Sequence, residues 1–68
     1  MTLEHYTQNK NHINKDIKTI ERHGFNVEVK SSKDVYILIS HGDMYVICSR
    51  SCDLENIAMI LDEYKEMK

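Results

Sequence analysis

Cys48 and Cys52, with His41 and Asp43 a short way upstream, are the residues of this 68-residue chain best placed by type to do chemistry. An adjacent base activates a thiol, so Cys52, His41 and Asp43 can be drawn as a nucleophilic group. A thiolate near a helix N-terminus is also stabilised. The spacing argues against this grouping. His41 falls at a turn and Cys52 lies past the far end of the returning strand, about 20–25 Å away if that strand is extended. Two cysteines four positions apart, without a second pair or paired histidines, lack the ligand spacing of a zinc site. Cys48 then reads as a small core residue at a strand end and Cys52 as a surface thiol. His5, His12 and His23, scattered along the first helical region, read as solvated helix-face side chains. The expectation is a protein that is not an enzyme, with no catalytic residue, no metal and no cofactor.

Asp53, Glu55, Asp62, Glu63 and Glu66 form a second set, on the outer face of a C-terminal helix. Carboxylates spaced along a helix can imitate phosphates and steer the protein toward a basic surface. A solvated helix face has the same composition, and Lys65 and Lys68 dilute the charge. Residues 1–33 carry six basic and four acidic side chains, residues 34–68 three and seven, which sums to the net charge of −2. Nucleic-acid binding needs Lys and Arg concentrated on one face, so no direct nucleic-acid contact is expected. A host protein with a basic surface is the more natural partner.

The elements follow from periodicity. Ile13, Ile17 and Ile20 share a stripe at helical spacing, and Gly24 can end that helix in a left-handed conformation. A helix over 11–23 is expected. Extension back to Leu3 is open, but Gln8-Asn9-Lys10-Asn11 forms helix poorly, so residues 1–10 are expected to be frayed or flexible. Phe25, Val27 and Val29 alternate with polar residues as in a half-buried strand. Strands over 35–40 and 44–49 follow, joined through His41-Gly42-Asp43. Ser51 or Asp53 can cap a last helix, whose apolar stripe is Leu54, Ile57, Ala58, Leu61 and Tyr64. Short loops make the strands an antiparallel meander. The chain is therefore expected to be a single α+β domain over 1–68, a two-layer αβββα fold with both helices packed on one face of a three-stranded sheet.

The hairpin is apolar on both faces, and its turn length sorts them. A two-residue turn, with Gly42-Asp43 a reasonable type II′ pair, groups Val35, Ile37 and Ile39 with Met44, Val46 and Cys48. Tyr36, Leu38, Tyr45 and Ile47 then share the other face. A three-residue loop mixes the groups. Tyrosines in an apolar surround suit a protein interface, although tyrosine is also a favoured strand residue. A homodimer burying this face is the alternative occupant, and Leu3 and Tyr6 of a crossing N-terminal segment are a third. Two cysteines in so short a chain, without a signal peptide, point to the cytoplasm. The longest apolar run of five residues is too short for a membrane helix. The start at Met1 suggests a complete small gene product.

The order of a helix, the Gly24-Phe25-Asn26-Val27 strand, the hairpin over 35–48 and the acidic helix over 54–68 resembles small type II-A anti-CRISPR proteins from phages of low-GC bacteria. The resemblance lies in element order and character over about residues 11–68, with no motif matched residue by residue. It implies a small acidic α+β inhibitor that occupies the DNA-binding groove of an RNA-guided nuclease. Together these readings give a non-enzymatic protein-binding module, a phage or mobile-element product that modulates a host protein. Its binding residues are Tyr36, Leu38, Tyr45 and Ile47 on the sheet and Glu55, Asp62, Glu63 and Glu66 on the helix.

Overall fold

A computed structural model describes residues 1–66, with side chains to residue 64. Helices α1 (Leu3–Gln8) and α2 (Lys10–Arg22) lead into strands β1 (Asn26–Ser31), β2 (Val35–His41) and β3 (Met44–Cys48), and α3 (Ser51–Glu66) closes the chain. The sheet is an antiparallel meander in the order β1-β2-β3. The α+β architecture is as expected, with one addition. Residues 3–8 form a helix of their own, where the sequence suggests a frayed extension.

Local chemistry explains that helix. The Thr2 hydroxyl accepts from the His5 N–H at 3.1 Å and caps α1. The weak Gln8-Asn9-Lys10-Asn11 segment does interrupt the helix, but only at Asn9, where φ is −111°. Asn9 still donates to the His5 carbonyl through both its backbone and its side chain. Met1 is held against the sheet: Val35 N–H donates to its carbonyl at 2.8 Å, and its nitrogen donates to the Val35 carbonyl at 2.9 Å. Met1 and Tyr6 pack against the core. The first segment therefore closes the end of the core and leaves the tyrosine face of the sheet bare, with Leu3 exposed.

One aliphatic layer holds the domain together. Ile13 and Ile20 of α2, Ile37 and Ile39 of β2, Cys48 of β3, and Leu54 and Ala58 of α3 form the buried cluster. Their alternation on β2 shows that both long helices cover the same sheet face, since Val35, Ile37 and Ile39 are buried while Tyr36, Leu38 and Ser40 are half-buried. Gly24, at φ 91°, ends α2 as expected.

The expected hairpin register is present. Leu38 pairs with Ile47, Ile39 with Val46 and His41 with Met44, so the loop is Gly42-Asp43. Gly42 has φ 62° and Asp43 has no positive φ, the signature of a type II′ turn. The last helix starts differently from expectation. Neither Ser51 nor Asp53 caps it; Asp53 and Leu54 N–H groups donate to the Arg50 carbonyl. The Arg50 guanidinium in turn holds the Asp53 carboxylate through two contacts of 3.3 Å.

Candidate functional site

Tyr36 and Leu38 of β2 and Tyr45 and Ile47 of β3 lie together on the sheet face away from the helices, because the two-residue turn keeps the strands in phase. Tyr36 and Leu38 are half-buried by their neighbours, while Tyr45 and Ile47 are exposed. On the far side of this face, β1 places Lys30 beside Tyr36 and Glu28 beside Leu38. Lys30 and Glu28 form an ion pair at 2.9 Å. The face is thus an aromatic and aliphatic strip with a charged border, the layout of an interface centre and rim.

The acidic set is not one surface. Glu55 approaches His12 at 3.6 Å and Asp62 meets His23 at 3.2 Å, so both carboxylates are turned toward α2. Asp53 is engaged by Arg50. The Glu66 side chain lies outside the described residues, which leaves Glu63 as the only acidic side chain of the set without such a contact among those described. All of α3 also lies on the opposite side of the sheet from Tyr36 and Tyr45. The sheet face and the helix face therefore cannot form one continuous site.

His5 and His12 are exposed, as read from the sequence, and His23 is half-buried, yet each meets a side chain of α3. His5 Nε2 meets Ser51 Oγ at 2.9 Å, His12 meets Glu55 and His23 meets Asp62. The spacing of eleven residues between His12 and His23, near three helical turns, is the signal that places those two on one side of α2. His12 also lies 3.8 Å from Asp16, whose buried Oδ2 accepts no hydrogen bond. Burial pushes the Asp16 carboxyl up, His12 opposes that rise, and Glu55 adds to it. A carboxyl raised on folding binds its proton more tightly in the folded chain. Its ionised form therefore costs stability at neutral pH, and the cost fades as pH falls through the folded pKa. Asp16→Asn is expected to raise stability on the order of 1 kcal/mol at pH 7, with the gain gone by about pH 3, below the unfolded carboxyl's pKa. Urea unfolding at the two pH values checks both the sign and its disappearance.

The two cysteines are free. Cys48 is buried at the end of β3, and burial pushes its thiol up, away from the reactive thiolate. Cys52 is exposed and lines a cleft of 380 Å³ together with Met1, Thr2, His5, Arg50 and Ser51. His41 and Asp43 are at the other end of β3, where the His41 ring packs on Phe25 with centroids 5.1 Å apart. The structure therefore keeps the Cys52, His41 and Asp43 group apart. In the cleft, Ser51 and His5 have the separation of a nucleophile and its base. No group among the described residues orients the second ring nitrogen of His5, and the pair serves as a tie between α1 and α3. No cluster of three potential metal ligands occurs among the described residues. No helix described is long and apolar enough to cross a membrane.

Comparison with protein-family models, curated proteins and solved structures finds no match to this chain.

Proposed function

We propose that the protein is a non-enzymatic protein-binding module that docks a host protein on the Tyr36, Leu38, Tyr45 and Ile47 face and modulates or inhibits it. One observation carries this reading: both long helices cover the aliphatic face of the sheet, and nothing among the described residues covers the other. An antiparallel sheet can leave one face to water, but that face is then usually polar. Here β1 follows the rule with Asn26, Glu28 and Lys30, whereas β2 and β3 break it with two tyrosines, a leucine and an isoleucine. Tyrosine rings give large contact area at low entropic cost, and their hydroxyls can bond a partner. The resemblance to small phage-encoded anti-CRISPR inhibitors supports the inhibitor half of the proposal through element order. The α3 carboxylates support it less, since two of them face α2.

The test is capture of partners from a host extract by the wild-type chain and by Tyr36→Ser and Tyr45→Ser. Each tyrosine is expected to contribute about 2 kcal/mol, or roughly thirty-fold in affinity, if it is a central anchor. The tyrosines are exposed or half-buried, so both variants should keep the wild-type circular dichroism. An unchanged set of captured proteins in both variants sinks the proposal.

A further inference from the structure

We propose that the open edge of β3 is an interface between two copies of this chain, paired antiparallel about Val46. Among the described residues β3 bonds only to β2, so the backbone groups on its other side have no strand there to pair with. Its sequence, Met44-Tyr45-Val46-Ile47-Cys48, has no charge, proline or glycine to discourage pairing. The opposite edge of the sheet is different. β1 carries the Glu28–Lys30 pair, the kind of charge that protects an edge. One edge is guarded and the other is not.

The side chains along β3 are exposed on both faces of the sheet. Met44 and Val46, on the helix-covered face, are 72% and 49% exposed, and Tyr45 and Ile47, on the bare face, are 69% and 53% exposed. The third element at this edge is α3. It turns Glu55 and Asp62 toward α2, and at ~100° per residue Ile60 and Tyr64 lie about half a turn round from them. Because α3 contacts β3 while α2 contacts β1, that flank is on the β3 side, and both residues are exposed. Together Met44, Tyr45, Val46, Ile47 and Ile60 expose apolar surface on the order of several hundred Å² per copy, the scale of the ~800 Å² per partner of a standard interface. Monomers seldom leave an apolar patch larger than a few hundred Å².

A second copy fits this edge better than an unrelated strand because β3 complements itself. Pairing about Val46 sets Tyr45 opposite Ile47 of the second copy, an aromatic against a β-branched residue, a favourable cross-strand pair. It sets Met44 opposite Cys48 of the second copy, and places no charge against another. The contact is isologous, so it closes at two copies and uses up the unguarded edge. The result is a six-stranded sheet in which the two Tyr45 and Ile47 strips meet at the twofold axis. The inference does not depend on the proposed host-protein partner, although it would present that partner with a doubled face.

Size exclusion with light scattering is expected to give twice the 8.0 kDa chain mass. Val46→Lys puts like charges opposite each other at the axis and should give a folded monomer. Ile60→Lys should shift the equilibrium the same way. A charge-free readout covers the case in which Val46→Lys does not fold. In a Cys52→Ser background, mild oxidation of Val46→Cys should yield a disulfide-linked dimer, because facing Cα atoms ~4.5–5.5 Å apart can be bridged. Tyr45→Cys, facing Ile47, should link far more slowly. A chain that stays monomeric from micromolar to millimolar concentration overturns the proposal. So does a dimer that survives Val46→Lys and is lost in Tyr36→Ser, which is the signature of face-to-face packing. Partner capture that is unchanged in Tyr36→Ser and Tyr45→Ser, with the dimer intact, counts against the proposed function alone.

Discussion

Ile37→Ala is expected to remove most of the stability of this domain, while Ile47→Ala, one strand away, should remove little. Ile37 is fully buried at the centre of the sheet, between Val29 of β1 and Cys48 of β3. It also lies in the cluster that joins both long helices. Truncating a buried isoleucine costs about 2–5 kcal/mol through lost transfer energy and the cavity left behind. A chain of this size has a total stability of roughly 3–10 kcal/mol. The variant is therefore expected to be partly unfolded at room temperature, with a urea midpoint well below that of the wild type. Ile47 points to the bare face, and its loss should cost within about 1 kcal/mol. Urea unfolding followed by circular dichroism measures both. Comparable losses would contradict the division of the hairpin into a core face and a bare face.

Gly42 provides the second large effect, and its sign can be set by chirality. At φ 62° an L-residue is strained, and Gly42→Ala is expected to cost about 1–2 kcal/mol. A Cβ at this position meets nothing within 4 Å, so the cost is conformational and not a clash. The D-enantiomer favours positive φ. A chemically synthesised chain with D-alanine at position 42 should gain about 0.4–1 kcal/mol, because the unfolded chain loses freedom that the folded one never used. Thermal melts of the three chains decide the point. Equal destabilisation by both enantiomers would show that the site is limited by space. The result bears on function, since a longer loop here would move Tyr45 and Ile47 to the other face.

Much of the fold is legible from the residues. Gly24 marks the end of α2 because glycine reaches the left-handed region at no steric cost. Val35 to Cys48 reads as a hairpin because Gly42-Asp43 interrupts two apolar strands at the length a type II′ turn requires. The start of the chain is less legible. Helix propensity is weak around Asn9, and the sequence does not reveal that Met1 will pair with Val35, 34 positions away. Long-range hydrogen bonds of this kind leave no local periodicity. Ser51 is a good cap by type, but its hydroxyl is taken by His5 from another helix.

The candidate site divides in the same way. The membership of Tyr36, Leu38, Tyr45 and Ile47 in one face follows from alternation and turn length, which are properties of the strand backbone. That the face stays uncovered is a tertiary fact, decided by both helices and Tyr6 packing on the aliphatic side. The acidic residues of α3 show the opposite outcome. They look like one charged stripe in sequence, yet Glu55 and Asp62 face the histidines at the two ends of α2 because α3 packs alongside that helix. Periodicity assigns residues to faces because it depends on backbone geometry alone. What each face meets depends on which elements fold over it, and that is settled only when the helices, the sheet and the first residues of the chain come together.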